Sequence, residues 1–526
     1  MKRFIQYSLW CIIIIAALTS CKKSFQDLTQ NNNVPTSVPA SLLLNGVLNN
    51  LVDLPNSSKE IYCQYYIYNY DYYGNNRYDF GAGDNYYTTL KNVMAMEDQA
   101  IKGGAPVLNP YSALGKFFRA YFFSKMSLEM GDIPMTQALQ GIKNLTPVYD
   151  NQKVVMIQCL KWLGDANTDL TTLIGSGGNS LSGDIFYNGD LTKWQKVVNT
   201  FKIRLLIQLS KKSSDVEINV PAQFASIIGD PAKYPIMQSS ADNLQYTFIQ
   251  NTNNYPQTPD NFGQNGSRQN SSATYISLLT SFQDPRLFVT AEPARDLVDN
   301  KKQSPTDFNS FVGADPGLDL GIMYNNAGLQ KYSFINRKRY YSTYTGEPAI
   351  QIGYSELMFN IAEGINRGWA VGNAETFYQA GIQASFQYYG IPATTGSFTA
   401  YFYRPGSSSV SNLANYDTYP INVNFANYYA QPLVQYTPGS TGLNQILNQK
   451  YIALFRQSGL ESYFTYRRTG VPNFSTGPGS GNGSRIAKRF QYPSSEKTAN
   501  AKNYIDAITT QFGGNDDING IMWILK

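Results

Sequence analysis

Apolar residues recur at helical spacing in several separate segments of this chain. In residues 114–125 they fall three and four positions apart, and Gly131 and Pro134 then act as stop signals. The same spacing predicts further helices, at residues 154–174, 194–209, 354–367, 375–389 and 443–466. A short connector that contains glycine joins the helices at 354–367 and 375–389, as in a helical hairpin. The scaffold is therefore predicted to be mainly α-helical.

Two long stretches between the helical segments lack this spacing. Residues 241–345 are rich in Asn, Gln, Gly, Pro and Tyr, and residues 401–442 have a similar composition. We expect loops and short strands in both stretches. Long irregular segments inside a compact protein usually carry function. We therefore interpret residues 241–345 as a variable ligand-binding insertion between the scaffold segments 40–240 and 346–526.

The N-terminus has the pattern of an export signal. Lys2 and Arg3 precede an unbroken apolar run of ten residues at positions 9–18. A membrane-spanning helix needs about 20 apolar residues, so this run is too short to span a bilayer but fits a secretory signal. No other apolar stretch of the sequence is long enough to span a membrane.

The end of the apolar run, Leu18-Thr19-Ser20-Cys21, has the pattern of a bacterial lipobox, in which the cysteine sulfur receives a diacylglycerol. We predict a signal peptide at residues 1–20, lipidation of Cys21 and a flexible, lipidated tether at residues 21–39. An ordinary signal peptide with a coincidental cysteine is the alternative. Under the lipobox interpretation the protein is anchored to a membrane and not embedded in it.

Composition excludes several classes of chemistry. The 526 residues contain no histidine, which removes histidine general bases, Ser-His-Asp and Cys-His nucleophiles, and the usual zinc sites with histidine. Only 15% of the residues are charged, whereas 73 are aromatic (28 Phe, 5 Trp and 40 Tyr). The net charge of +5 comes without a long basic run, and nucleic acid binding normally requires a more clustered basic surface. We expect no nucleic acid partner and no cofactor.

Two glutamates could form a catalytic carboxylate pair. Glu356 and Glu363 are seven residues apart on a predicted helix and therefore lie on one face of it. We favour hydrogen bonds or ion pairs between helices for both. A glycosidase that uses paired carboxylates stays open as an alternative.

Metal and disulfide sites are not specified by the sequence. An EF-hand-like start at residues 515–520 is rejected, because Lys526 stands where that loop needs a bidentate glutamate. A looser calcium site near Asp315 and Asp319 stays open, but we assign no metal-ligating residue. Cys63 and Cys159 could pair in an oxidising compartment, although we favour two buried thiols.

Tyrosines crowd the segment between residues 62 and 78. An aromatic face packs against the apolar C–H face of a sugar, while amide and guanidinium groups bond its hydroxyls. We expect the upstream tyrosines, such as Tyr65 and Tyr66, to fill the core and the downstream residues to form a ligand-binding loop. The candidate loop residues are Tyr72, Tyr73, Asn75, Asn76, Arg77 and Tyr78.

The insertion repeats this mixture of aromatic, amide and guanidinium side chains. We add to the candidate ligand-binding residues Tyr255, Asn261, Phe262, Arg268, Asn270, Tyr324, Tyr341 and Tyr344. The mixture carries little formal charge, which suits a neutral polymer such as an oligosaccharide. The basic triplet Arg337-Lys338-Arg339 is interpreted as a solvated turn.

Short motifs in a fixed order resemble a known family. The first of them are Pro39-Ala40-Ser41-Leu42-Leu43-Leu44, Arg119-Ala120-Tyr121, Gly131-Asp132-Ile133-Pro134, Lys202-Ile203-Arg204-Leu205 and Asp284-Pro285-Arg286. Later in the chain come Tyr354-Ser355-Glu356-Leu357, Gln449-Lys450-Tyr451-Ile452-Ala453-Leu454-Phe455 and Arg489-Phe490-Gln491-Tyr492-Pro493. Together they resemble the SusD/RagB-like nutrient-binding outer-membrane lipoproteins, specifically their second SusD-like branch.

The resemblance implies one SusD-like domain over residues 40–526, with tetratricopeptide-like helix pairs and an inserted ligand-binding region. It also implies a non-catalytic outer-membrane lipoprotein that captures oligosaccharides and passes them to a SusC-like TonB-dependent transporter. A peptide ligand, as in RagB-like proteins, is the nearest alternative. A cell-surface glycosidase and a purely structural adhesin or assembly factor are the alternatives from other classes.

Overall fold

Helices dominate the architecture. A computed structural model describes residues 37–177 and 181–526. Its α-helices are α1 (Ala40–Leu51), α2 (Ser58–Tyr62), α3 (Tyr87–Lys102), α4 (Pro110–Met130), α5 (Gln152–Ser176), α6 (Leu191–Gln208), α7 (Val220–Gly229), α8 (Phe262–Asn265), α9 (Ala273–Ser281), α10 (Leu287–Thr290), α11 (Leu320–Gly328), α12 (Arg337–Tyr340), α13 (Tyr354–Asn366), α14 (Ala374–Tyr388), α15 (Phe425–Tyr429), α16 (Ser440–Ala453), α17 (Glu461–Thr469), α18 (Glu496–Ala499) and α19 (Ala501–Phe512). The strands are β1 (Tyr66–Tyr68), β2 (Leu244–Tyr246), β3 (Gln269–Ser271), β4 (Ala349–Ile352), β5 (Thr395–Tyr403) and β6 (Tyr416–Asn424). The mainly α-helical fold class is confirmed.

The predicted signal peptide, Cys21 and residues 21–36 of the predicted tether lie outside the described residues, so these remain predictions. Within 37–177 and 181–526, no helix is both long and apolar enough to cross a bilayer.

Helix α4 is the central helix of the N-terminal half. It begins with a capping box, because the Asn109 side chain accepts from Ser112 N while Asn109 N donates to the Ser112 hydroxyl. Pro110 occupies its first turn, and Gly131 ends it with a φ of +103°. Most of its side chains are buried, and it packs against α3 and α5. The predicted hairpin is also present, as α13 packed against α14.

The segment predicted as one helix at residues 443–466 forms two helices, α16 and α17, so that prediction is wrong. Between them Arg456, Ser458 and Gly459 have φ angles of 64°, 56° and 57°, which is left-handed backbone that an α-helix does not contain. The buried Arg456 guanidinium lies 3.4 Å from the Glu60 carboxylate. This ion pair draws the chain out of the helical path that the local spacing favours.

Residues 401–442 are more regular than predicted. Strands β5 and β6 form an antiparallel ribbon that runs from Thr395 opposite Asn424 to Tyr403 opposite Tyr416. In β6 the buried Ile421 and Val423 alternate with the exposed Asn422 and Asn424, a period of two that is typical of a strand. Sequence analysis did not use this signal and expected only loops and short strands.

Short strands join the insertion to the scaffold. Strand β1 pairs antiparallel with β3, which places Tyr66 opposite Ser271 and Tyr68 opposite Gln269. Strand β2 pairs antiparallel with β4, with an irregular register between Leu244 and Gln245. One hydrophobic cluster extends through both the scaffold and residues 241–345. The pairing of β1 with β3 brings the tyrosine-rich loop that follows β1 against the insertion.

Candidate functional site

Three tyrosine rings at the surface lie around one guanidinium, and a fourth ring, that of Tyr72, packs against two of them. Tyr70, Tyr72 and Tyr73 lie in the loop after β1, and Tyr324 lies on α11. The ring centroids of Tyr70 and Tyr324 are 5.4 Å apart. The Arg268 Cζ atom lies 5.1, 5.7 and 6.0 Å from the ring centroids of Tyr70, Tyr73 and Tyr324. We call the four residues the tyrosine cluster; Tyr72 is 81% exposed and Tyr324 44%.

Hydrogen bonds of Asn69 place this loop beside Arg268. Asn69 N donates to the Arg268 carbonyl oxygen at 3.0 Å, and Asn69 Nδ2 donates to Ser267 O at 3.1 Å and to Asn270 Oδ1 at 2.6 Å. These bonds extend the pairing of β1 with β3 beyond the strand ends. The tyrosines after Asn69 therefore emerge next to a guanidinium that is distant from them in sequence.

Asn76 closes the loop at its other end. Its Oδ1 accepts from Tyr68 N and its Nδ2 donates to Tyr68 O, both at 2.8 Å, so the amide replaces a neighbouring strand. Gly74 lies against the Tyr68 ring, where a Cβ atom would come within 2.4 Å of ring carbons. Asn76 is buried, and we assign it to the support of the loop, whereas sequence analysis placed it among the ligand-binding residues.

A cavity of about 390 Å³ opens beside the tyrosine cluster. We call it the arginine pocket, because its walls combine four aromatic rings with three guanidinium groups, namely Phe262, Tyr324, Phe334, Tyr403, Arg268, Arg295 and Arg337. Its described lining contains no carboxylate. The site therefore offers flat apolar faces and cationic hydrogen-bond donors in one concave surface.

Two of the three arginines have carboxylate partners. Arg337 Nη1 donates to Glu292 Oε2 at 2.5 Å, and Arg295 Nη2 donates to Asp299 Oδ1 at 2.7 Å. In the part of the chain that the structure describes, Arg268 has no carboxylate within ion-pair distance and its guanidinium donates no hydrogen bond. There the guanidinium lies against the faces of Tyr70, Tyr73 and Tyr324.

The arginine pocket also contains polar atoms that lack partners. Asn69 Oδ1 and Arg337 Nε are buried and make no hydrogen bond among the described residues, and both residues line the pocket. A buried group left without a partner costs about 1–3 kcal/mol. Both atoms are closed off from solvent, so they add no donor or acceptor to the surface of the pocket.

Four predicted ligand-binding residues are core residues instead, namely Tyr78, Tyr255, Asn270 and Tyr341. Tyr78 donates its hydroxyl proton to Tyr62 O at 3.0 Å, and Tyr341 donates to Gln269 Oε1 at 2.9 Å. Burial raises the pKa of Tyr78 and Tyr341 above the usual tyrosine value. Exposure alternates from residue 76 to residue 80, and this period of two is the signal that could have separated core from loop.

The described lining of the arginine pocket does not include four other predicted residues, Asn75, Arg77, Asn261 and Tyr344. Asn261 holds the turn before α8, because its Oδ1 accepts from Thr258 N at 3.0 Å. Arg77 pairs with Asp79 at 2.5 Å on the surface. Of the residues chosen from the sequence, Phe262, Arg268 and Tyr324 line the pocket, and Tyr72 and Tyr73 lie at its edge in the tyrosine cluster.

The basic triplet at 337–339 forms helix α12, so its interpretation as a solvated turn is wrong. Asn336 begins this helix by accepting from Arg339 N at 2.9 Å, and Arg339 pairs with Glu347 at 2.5 Å. Helix α12 directs Arg337 into the arginine pocket. Sequence analysis also missed Arg295, Phe334 and Tyr403, because they reach the pocket from separate segments that carry no motif.

A second cavity of about 940 Å³ lies along the β5–β6 ribbon. We call it the amide groove, because its lining includes Gln283, Asn422, Asn424, Asn427 and Gln431. The rings of Phe288, Phe308 and Tyr428 complete its walls, and no charged side chain is part of its described lining.

Glu356 and Glu363 are both held in buried ion pairs. Glu356 Oε1 accepts from Arg204 Nε at 2.8 Å, and Glu363 Oε1 accepts from Arg468 Nη1 at 2.5 Å. Burial by itself would raise the pKa of Glu363, but Arg468 and Arg367 outweigh it and lower the pKa to about 2. The interpretation of these glutamates as partners between helices is confirmed. Neither carboxyl group carries a proton for general acid catalysis at neutral pH.

Acidic and cysteine residues elsewhere have structural contacts. Asp319 accepts from Gly321 N at 2.9 Å and begins α11, and Asp315 accepts from Gly317 N at 2.9 Å. Among the described residues, no group of three or more Cys, Asp or Glu side chains is placed to hold a metal ion. Cys63 and Cys159 are free and buried, which confirms the interpretation as buried thiols.

The structure thus combines a helical scaffold, an aromatic surface pocket, and a predicted carboxylate pair that is locked in ion pairs. The family model of SusD-like proteins, described as starch-binding and associating with the outer membrane, matches residues 31–493, so the chain belongs to that SusD-like family. The resemblance seen in the sequence is thereby confirmed. The protein is a SusD-like nutrient-binding protein associated with the outer membrane, and it is not an enzyme.

Solved structures agree with this assignment. A SusD homologue from Bacteroides fragilis has a TM-score of 0.78 and 30% sequence identity, with 93% of this chain and 100% of that chain covered. A Bacteroides vulgatus outer-membrane protein with a suggested role in nutrient binding has a TM-score of 0.76 and 30% identity at the same coverage. A chitin-binding SusD homologue from Flavobacterium johnsoniae has a TM-score of 0.68 and 22% identity over 93% of this chain and 98% of that chain, which shows the fold alone. No curated protein sequence matches the chain.

Proposed function

We propose that this protein captures an oligosaccharide in the arginine pocket and passes it to a SusC-like TonB-dependent transporter. The observation that carries the proposal is the tyrosine cluster, whose exposed rings lie around Arg268 at the pocket. Flat rings pack against the C–H faces of sugars, and the guanidinium groups that line the pocket can donate hydrogen bonds to sugar hydroxyls. The description of the matching family as starch-binding supports a glycan over a peptide.

Alanine in place of Tyr73 or Tyr324 is expected to weaken oligosaccharide binding about tenfold, since a lost aromatic packing contact removes roughly 1.4 kcal/mol. Both rings lie beside Arg268 at the surface, so the melting temperature should stay unchanged. The measurement is calorimetric titration with a panel of oligosaccharides and peptides, followed by chromatography of the ligand, which should be recovered intact.

The matched control is Asn427→Ala in the amide groove, where the described lining is distinct from that of the arginine pocket. It should leave the affinity unchanged. Loss of affinity in Asn427→Ala with normal binding by both tyrosine variants would move the site to the amide groove. If only the peptides of the panel release heat on titration, the ligand is a peptide and not an oligosaccharide.

The proposed delivery to a transporter requires the lipid anchor predicted at Cys21. In cells that export the full chain, Cys21→Ser is expected to move the protein from the membrane fraction to the soluble fraction. Purification of the tagged parent protein from solubilised outer membranes should recover a β-barrel transporter in stoichiometric amount, and Cys21→Ser should lose it. Cys11→Ala, in the apolar run of the signal, is the control and should keep both properties. Membrane retention of Cys21→Ser would contradict the anchor.

A further inference from the structure

The arginine pocket holds a positive charge that no described carboxylate compensates. Glu292 and Asp299 neutralise Arg337 and Arg295, while Arg268 has no such partner in residues 37–177 and 181–526. An arginine carries five N–H donors, and none of those on the Arg268 guanidinium is used by a described acceptor. The pocket is therefore cationic in a protein whose charged residues make up only 15% of the chain.

Aromatic rings hold this guanidinium in place without using its donors. Three rings of the tyrosine cluster lie within 5.1–6.0 Å of its Cζ atom, which is the distance of cation–π contacts. Such contacts stabilise the cation and exclude water from the faces that they cover. An ionic hydrogen bond formed in that environment is stronger than one formed in open solvent.

The backbone of Arg268 is fixed as well. Its carbonyl oxygen accepts from Asn69 N at 3.0 Å, and the preceding Ser267 carbonyl accepts from Asn69 Nδ2 at 3.1 Å. The residue that follows opens strand β3. A donor that is already positioned loses little conformational entropy on binding. Arg268 is therefore preorganised to donate hydrogen bonds to an acceptor on a ligand.

We propose that the ligand of the arginine pocket is an acidic oligosaccharide, and that Arg268 binds a carboxylate or sulfate group on one of its sugars while the tyrosine cluster packs against the rings. This inference rests on the proposed function and names the ligand class. It replaces the expectation from the sequence, where low overall charge favoured a neutral polymer. A neutral sugar would leave the Arg268 charge without a counter-ion, whereas a uronate or a sulfated sugar supplies one.

The test compares acidic and neutral forms of the same oligosaccharides. Purified full chain in detergent is titrated with oligogalacturonides and their methyl esters, and with sulfated galactan oligosaccharides and their desulfated forms. One acidic form is expected to bind at least about tenfold more tightly than its neutral counterpart. This preference should weaken as the NaCl concentration rises. A preference for oligogalacturonides over their methyl esters would identify the bound group as a carboxylate. A preference for the sulfated over the desulfated galactan oligosaccharides would identify it as a sulfate.

Arg268→Gln should remove the preference for the acidic form, so that this variant binds the acidic and the neutral forms equally, with an unchanged melting temperature. Arg485→Gln is the matched control, because Arg485 is exposed and is not part of the described pocket lining; it should keep the preference. Equal binding of acidic and neutral forms by the parent protein would overturn this inference and leave the proposed function standing. Absence of binding by every oligosaccharide would overturn both.

Discussion

Replacing Asp284 with alanine is expected to lower the free energy of unfolding by about 3–5 kcal/mol, because it leaves a buried charge without its partner. Arg286 is fully buried, and its Nε and Nη2 donate to the two Asp284 oxygens at 2.9 and 2.6 Å. Ser385 and Gln449 accept its remaining hydrogen bonds. The Asp284-Pro285-Arg286 motif of the sequence thus fixes the insertion to α14 and α16 through one guanidinium.

Urea denaturation at pH 7 measures this loss. The control is Asp506→Ala, which breaks an exposed pair with Lys502 on α19 and should cost under about 1 kcal/mol. A second variant, Asp284→Asn, keeps an acceptor for Arg286. Its loss of unfolding free energy should lie between the losses in Asp284→Ala and Asp506→Ala. Equal unfolding free energies for Asp284→Ala and Asp506→Ala would show that the buried pair contributes no more than a surface pair.

Replacing Glu129 with glutamine is expected to stabilise the protein at pH 8 and to do little at pH 4. Glu129 is buried beside Asp84, whose backbone N donates to Glu129 Oε2 at 2.6 Å, and the two nearby cations, Lys59 and Lys125, already pair with Asp53 and Asp84. Burial and the Asp84 charge together raise the pKa of Glu129 to about 7. Its contribution to stability is therefore full below pH 4.5 and is lost as the pH rises through 7.

A rise of the pKa from 4.5 to about 7 corresponds to about 3 kcal/mol, which is the upper bound of the gain expected for Glu129→Gln at pH 8. The measurement is the free energy of unfolding of variant and parent at intervals from pH 4 to pH 8. Glu363→Gln is the matched control, since the pKa of Glu363 is lowered to about 2. Its destabilising effect should stay constant from pH 5 to pH 8, because Glu363 is ionised in the folded and unfolded states throughout that range. A gain from Glu129→Gln that does not change with pH would contradict the buried-charge explanation.

Helical spacing predicted the scaffold well because α4, α5, α6, α13 and α14 bury their apolar faces against one another. It failed at residues 443–466, where the buried Arg456 and its partner Glu60 interrupt the helix. That ion pair joins positions far apart in sequence, so no local pattern contains it. The β5–β6 ribbon did leave a local signal, since Ile421 and Val423 alternate with Asn422 and Asn424, but the composition of the segment hid it.

The candidate site was predictable in composition but not in geometry. The mixture of rings and guanidinium groups identified Tyr72, Tyr73, Arg268 and Tyr324, which the structure places together. The same mixture also selected Tyr78 and other core residues, because composition does not report which side of the chain faces solvent. Arg337 and its neighbours in the pocket converge through tertiary packing, and only the structure shows that they meet.

The hydrogen bonds of Asn69 and Asn76 fix the two ends of a six-residue loop, residues 70–75, whose surface side chains can vary. Both amides hold their own ends of the loop by bonds to backbone atoms of β1 or of residues 267–268, so the core does not depend on the side chains between them, apart from Gly74, where a Cβ atom would meet the Tyr68 ring. Tyr70, Tyr72 and Tyr73 can therefore be replaced by other residues without loss of the scaffold. A protein built in this way can evolve toward a new nutrient through a few substitutions in one loop, while its helices stay as they are.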